Sequence, residues 1–391
     1  MIHRDYLVIG AGVAGASICE GIRAYDKKGS LTLVGNEPFP PYGRPALSKA
    51  FLKAKNADME KLYHLPPSWY EKNKVDLRLH TIVTHFNVER RLAVLGNGQT
   101  IEFKKACLAT GSRPHRPPVA GNNLGNIIYL RSAKDAMALR EVVAAEHGIV
   151  VIGGGHIAAE ASAALCERGI KVSLMCRDAY LWQSWLGGET AQWLTGIFES
   201  QGVHLMMQET LNGFEGKTVL RNIQTKSGHR FSAAAALVAL GVDLNLELVH
   251  NTPLSSPNGT PVNELLETDE KGIFAVGDIA LFPDTVLGGV RRLTHWESAI
   301  LQGRLAGANM TGRKRQRFQY LAHHTSEVFD LKFDFVGDFS QPPGRIQREG
   351  DLSKRVFTQL HYQGDRLVGA VLCNRSSAEI EEARNLFLTG G

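Results

Sequence analysis

The chain has 391 residues, 43% hydrophobic and 21% charged, with a formal charge of +5; this is the profile of a soluble globular protein with length for two or three domains of roughly 150 residues each. Forty glycines without a period exclude a collagen-like repeat, no apolar run approaches the roughly 20 residues of a membrane helix, and mild positive charge without a reader motif argues against nucleic-acid binding. Cys19, Cys107, Cys166, Cys176 and Cys373 show no CxxC or CxxxxC spacing, which argues against a redox disulfide, a thiolate metal cluster and a secreted disulfide framework; no metal site and a cytoplasmic location are expected.

From the N-terminus, "YLVIG" reads as a strand ending in glycine, followed by a helix and then the strand "SLTLVG", a βαβ unit. "KACLATGSRP" reads as a strand running into a turn, and the Pro/Gly-rich "PHRPPVAG" as a domain crossing. A second βαβ unit follows in "IVVIGGG", a helix of small residues and "KVSLM". "AAAALVALGVDLN" and "GIFAVGDIA" read as buried strands with turns. From Arg317 onward short alternating strands, "FDFVGDF" and "RLVGAVL", end in the helix-like "SAEIEEARNLF". The order implies two related α/β domains and a C-terminal α+β domain. The aromatics of "YLWQSWLGGETAQWL" (180–194) either cover a nucleotide or pack the second domain, with packing preferred.

Two turns carry chemistry. Gly10-x-Gly12-x-x-Gly15 and Gly153-x-Gly155-x-x-Ala158 each follow an apolar strand and open a helix. The first glycine permits the bend, the second lets backbone approach a pyrophosphate, and the third position must be small for helix and strand to pack. The phosphate then meets free N–H groups at a helix N-terminus. Two such turns imply two dinucleotides. A ribose-binding acid belongs about 20 residues on. In the first unit Glu37 is the candidate, two positions beyond the usual place, Gly35. In the second, Cys176 holds the usual place and Arg177 and Asp178 follow. Asp178 suits the two ribose hydroxyls of NADH and Arg177 the 2′-phosphate of NADPH, with NADH slightly favoured, and either also reads as a solvated loop charge. Gly277 and Asp278 end a strand where a carboxylate suits the ribityl hydroxyls of FAD.

"PPYGRPALSK", "ATGSRP", "GGGHIAAE", "AVGDIA" and "RRLTHWESAILQGRLAGANMTG", in this order over roughly residues 1–380, resemble the FAD-dependent ferredoxin-reductase family, the non-disulfide branch of the pyridine nucleotide-disulphide oxidoreductases that includes apoptosis-inducing factor and monodehydroascorbate reductase. The resemblance implies a glutathione-reductase-like α/β fold: a discontinuous FAD-binding domain at 1–113 and 247–316, an NAD(P)H-binding domain at 114–246, and a C-terminal α+β domain at 317–391. It implies that Lys49 and Glu160 form an ion pair beside the reactive nitrogen of the flavin. Arg44 and Arg131 would contact FAD, Val83 would pack near its adenine, Thr110 and Gly111 would line the flavin cleft, and Asp278 would hold the ribityl chain. His295 and Trp296 would border the isoalloxazine and nicotinamide, although Trp296 also reads as simple core. His156, Ile157 and Gly241 would line the NAD(P)H site.

The chain departs from the family at Thr294, usually Glu, and in "HHTSEVFD", where Thr325 replaces the tryptophan of an aromatic segment that reaches the flavin. The activity implied is hydride transfer from NAD(P)H to FAD and single-electron delivery to a ferredoxin or rubredoxin. Basic clusters at Arg291–Arg292, 312–318 and Lys354–Arg355 read either as a solvated basic face, which is preferred, or as a dock for a small acidic carrier protein. The alternatives are a reductase of a small acceptor, such as a monodehydroascorbate radical or quinone, and a redox-controlled interaction protein. A monomer or homodimer is expected.

Overall fold

Strand Ile2–Ile9, buried over its last four residues, pairs in parallel with Leu31–Val34 on one side and Thr100–Leu108 on the other. Leu31–Val34 pairs in parallel with Val75–Arg78. The far edge of Thr100–Leu108 is shared: its beginning pairs antiparallel with Leu92–Leu95, and its end pairs in parallel with Ile273–Ala275. With Val83–Asn87 these strands form a seven-stranded sheet. Parallel strands covered on both faces are apolar throughout, which is why "YLVI" and "IFA" show no alternation.

The structure, a computed structural model, describes residues 1–146, 148–250 and 252–388. It divides into two compact units. The first comprises Met1–Gly43, Met59–Arg113 and Leu244–His323; the second comprises Arg44–Asp58, Pro114–Asp243 and His324–Gly391. The last three residues of the C-terminal domain expected at 317–391 lie outside the described residues.

In the first unit, helices Val13–Tyr25 and Trp296–Thr311 touch backbone to backbone. A Cβ on Gly303 would lie 2.6 Å from the Ala14 carbonyl oxygen, one on Gly307 2.3 Å from that of Ile18, and one on Gly21 2.2 Å from that of Arg304. The glycines of "GRLAGAN" are therefore a packing device, keeping this second helix against the one that the first glycine turn opens.

The second unit contains a five-stranded parallel sheet in the order His204–Met207, Lys171–Cys176, Gly148–Ile152, Ala236–Val238, Ile127–Ile128. A five-stranded C-terminal sheet orders His323–Val328, Leu331–Gly337, Arg366–Cys373, Val356–Gln363 and Arg345–Asp351, followed by helix Ser377–Leu388. The Arg44–Asp58 segment is tied into this unit by Arg140, whose guanidinium donates to the carbonyls of Phe51 and Ala54, both at 2.7 Å, and by Arg168, which donates to the Leu52 carbonyl at 2.9 Å.

Trp182 is buried edge-on to Phe333 and Phe335, and Trp193 meets Phe357. Both tryptophans pack against the C-terminal sheet rather than only within the expected second domain. Among the described residues no helix is long and apolar enough to cross a membrane.

Candidate functional site

The three positions of each glycine turn have different physical reasons. Gly10 has φ +115°, and a Cβ there would lie 2.1 Å from the Ala109 carbonyl oxygen; one on Gly15 would lie 2.0 Å from that of Gly10. Both glycines are required by the fold itself. Gly12 is not: it caps helix Val13–Tyr25 with φ −88°, and an added Cβ would meet nothing within 4 Å. The second turn repeats this division. Gly153, at φ +135°, would place a Cβ 2.3 Å from the Ala239 carbonyl oxygen, whereas Gly155 caps helix His156–Glu167 and faces open space. Neither helix has a side-chain N-cap or an acidic first turn. Uncapped amides facing open space fit a dinucleotide pyrophosphate.

In the first unit Glu37 is half-buried and accepts from the Tyr42 hydroxyl at 2.6 Å. Its shift from the usual place has a steric cause, since a Cβ on Gly35 would lie 2.3 Å from the Ala11 methyl. Val83 is buried in the core of this unit. Thr110 donates through Oγ1 to the Asn245 carbonyl at 2.7 Å, and the Asn245 side chain donates back to the Thr110 carbonyl at 2.8 Å. The Asn245 amide donates to the carbonyl of Gly111, itself at φ +67°. Asp278 is buried and accepts from Ser112 Oγ at 2.5 Å. Gly277, at φ +71°, donates its N–H to Gln302 Oε1 at 2.8 Å.

His295 is half-buried, and burial pushes its imidazole down to about 4 against the opposing pull of Asp278, leaving the ring neutral. Trp296 opens its helix with 44% of its surface exposed, so it is not a core residue. Its Nε1 lies 3.9 Å from where a Cβ on Gly43 would stand.

In the second unit the Glu160 carboxylate is buried at 5% exposure. Lys49 Nζ lies 3.1 Å from its Oε1, Ser326 Oγ donates to the same oxygen at 2.8 Å, and Ser48 Oγ donates to Oε2 at 2.5 Å. A buried carboxylate demands such partners. His156, the first residue of the same helix, stacks on Trp185 with centroids 4.2 Å apart, and its Nε2 lies 3.1 Å from His324 Nε2. Ile157 follows, half-buried.

Arg44 donates to the Arg131 carbonyl at 2.7 Å, which brings these two expected flavin contacts together. Asp178 lies on the turn side of its loop: its Oδ2 is 3.9 Å, and Cys176 Sγ 2.5 Å, from where a Cβ on Gly154 would stand. Burial raises the Cys176 thiol, against the opposing backbone N–H of Asp178. The Arg177 side chain is 81% exposed. Gly241, at φ +101°, is exposed and accepts the His115 amide. Within the basic clusters, Arg291 pairs with Asp284, Arg317 with Glu264 and Arg355 with Asp330.

Sequence reasoning gave no role to Ser48, Ser112, Asn245, Gln302, His324 or Ser326. All six lie inside stretches quoted above, and only Ser48, a small polar residue next to Lys49, carried a local signal.

Parallel sheets that each feed a glycine turn and an uncapped helix define an oxidoreductase of the two-dinucleotide class. Residues 4–303 match the family described as pyridine nucleotide-disulphide oxidoreductase. Rhodocoxin reductase of Rhodococcus erythropolis is 31% identical over 94% of this chain and 86% of its own length. Putidaredoxin reductase of Pseudomonas putida is 30% identical over 95% and 89%, and a peroxisomal monodehydroascorbate reductase of Arabidopsis thaliana 30% identical over 96% and 80%. The solved covalent complex of putidaredoxin reductase with putidaredoxin superposes with a TM-score of 0.92 at 28% identity, covering 100% of this chain and 94% of the other. The chain belongs to the pyridine nucleotide-disulphide oxidoreductase family and is an FAD-dependent NAD(P)H oxidoreductase of the ferredoxin-reductase type.

Proposed function

We propose that the protein takes electrons from NADH and delivers them, through FAD, to a small acidic electron carrier of the ferredoxin or rubredoxin kind. The first unit would hold FAD through Gly10, Gly12 and Gly15, with Asp278 on the ribityl hydroxyls. The second would take the nucleotide at Gly153, Gly155 and His156, and residues 324–388 pack as part of that unit. When bound, the nucleotide supplies a hydride and the flavin converts a two-electron donor into a one-electron source.

The observation that carries the reading is Glu160. It is a buried carboxylate on the helix opened by the second turn, held by Lys49 and two serine hydroxyls. Fixed charge of this kind would orient the nicotinamide end of a nucleotide bound at that turn without reorganising during reaction. The preference for NADH rests on Asp178, whose carboxylate lies beside Gly154 while Arg177 extends into solvent. The carrier assignment is supported by the relatives named as rhodocoxin and putidaredoxin reductases, and by cysteine spacing that supplies no dithiol relay.

A second reading, reduction of a small acceptor such as the monodehydroascorbate radical, is favoured by the Arabidopsis relative. Anaerobic stopped-flow bleaching with NADH and NADPH tests the donor half. Rapid bleaching with NADH the faster supports the reading, and no bleaching by either nucleotide overturns it. Turnover with an acidic ferredoxin should fall steeply with ionic strength, whereas reduction of a neutral quinone should not.

A further inference from the structure

The strand His323–Val328 places two consecutive inward side chains, His324 and Ser326, on two residues of the helix His156–Glu167. Helix residues four apart stand about 6 Å apart along the axis, and strand residues two apart about 6.6 Å. His156 and Glu160 therefore match His324 and Ser326 in spacing, and the contacts form two rungs: Nε2 to Nε2 at 3.1 Å, and Ser326 Oγ to Glu160 Oε1 at 2.8 Å. Thr325 and Glu327, on the alternate face, are exposed.

The upper rung is fixed in orientation. His324 stacks on Phe335 at 4.8 Å and 4° between planes, and His156 stacks on Trp185 at 9°. One imidazole donates its Nε2–H and the other accepts through a bare Nε2, so at least one ring is neutral. The lower rung shares its acceptor oxygen with Lys49. His156 immediately follows Gly155, where a pyrophosphate fits, and Glu160 stands one turn further along the same face.

We infer that His324 and Ser326 are positioning residues for the pyridine nucleotide, setting the His156 ring and the Glu160 carboxylate respectively. This rests on the assignment of the second turn to NAD(P)H. The strand thus contributes to the site through the polar residues flanking the exposed Thr325.

The test is anaerobic stopped-flow bleaching of full-length, FAD-loaded protein across a range of NADH concentrations. H324F keeps the ring stack and loses the hydrogen bond, while H324Q retains a donor and an acceptor. H324F should raise the half-saturating NADH concentration about tenfold, the value of one hydrogen bond, with the limiting rate changed less than about twofold; H324Q should recover most of the affinity. In an H156A background H324F should add nothing, because coupled partners are non-additive. S326A should lower the limiting rate more than it changes half-saturation, and S326T should restore it. Wild-type half-saturation in H324F, full additivity with H156A, or no rescue by H324Q and S326T at unchanged FAD content would each overturn the inference. Failure of the wild-type protein to bleach would instead strike the nucleotide assignment on which it rests.

Discussion

Gln302 accepts the backbone N–H of Gly277 at 2.8 Å and is in turn fixed by donating to Ser298 Oγ at 3.0 Å, with all of these groups buried. The helix that packs glycine-to-backbone against Val13–Tyr25 therefore also holds the loop presenting Asp278. Replacing Gln302 by Leu orphans a buried amide, costing about 1–3 kcal/mol. The expected outcome is weaker FAD retention, read by release of flavin fluorescence on dilution. A Q302L protein that retains flavin like wild type would show that the loop holds its shape unaided.

The glycines separate into two experimental classes. Gly307→Ala drives a Cβ to within 2.3 Å of the Ile18 carbonyl oxygen, so the helices must part, and a stability loss of about 1–3 kcal/mol is expected in urea denaturation. Gly12→Ala and Gly155→Ala meet no protein atom within 4 Å. Their stability without dinucleotide should stay within about 0.5 kcal/mol of wild type. G12A should nonetheless lose FAD, and G155A should lose rapid bleaching by NADH while keeping its flavin. Equal destabilisation of all three variants would contradict this division.

Glu160→Gln keeps acceptor capacity for one serine but removes the negative partner of Lys49, leaving an ammonium with 18% of its side chain exposed. Removing one member of a buried pair typically costs about 3–5 kcal/mol; partial exposure of Lys49 and the flanking hydroxyls place the expected loss at the lower end. Bleaching by NADH should slow in both E160Q and K49M. The double variant should be less impaired in stability than the sum of the two, which a thermal denaturation cycle measures.

Nucleotide choice should turn on Asp178. Asp178→Ser removes the carboxylate beside Gly154 and leaves Arg177 free to swing toward a 2′-phosphate. The ratio of bleaching efficiencies should shift toward NADPH by about tenfold or more, the scale expected when a polar recognition group is removed. An unchanged ratio in D178S would place the ribose contact elsewhere.

The two turns were legible because their constraint is local: a strand, a bend at positive φ and a helix lie within a dozen residues. Lys49 and Glu160 were legible only through resemblance. The groups that complete the site are separated along the chain by distances that no local pattern reports: Ser48 meets Glu160 across 112 positions, Ser326 across 166, and Thr110 meets Asn245 across 135. Thr325 drew attention as a missing aromatic, but strand alternation turns it outward and gives the contacts to its neighbours. Trp296, which also read as core, proved exposed because it occupies the first position of its helix, on a half-solvated end.

His361 gives a pH dependence whose sign can be worked out. It sits in strand Val356–Gln363 with 1% exposure, its Nε2 has no hydrogen-bond partner among the described residues, and burial pushes the ring from its ordinary 6.5 down to about 4. The folded ring is neutral across this window, while the unfolded ring takes up a proton below about pH 6.5. Between these values the unfolded state binds more protons, so stability is full above pH 6.5 and falls as pH drops toward 4. From pH 7.5 to pH 5 this group accounts for about 2 kcal/mol. His295, also pushed down to about 4, contributes with the same sign. His361→Leu removes one titrating group and an unsatisfied nitrogen from the C-terminal sheet. Urea denaturation at pH 7.5 and pH 5 should show the variant losing about 2 kcal/mol less than wild type over that interval. Parallel losses in the two proteins would assign the acid sensitivity to other groups.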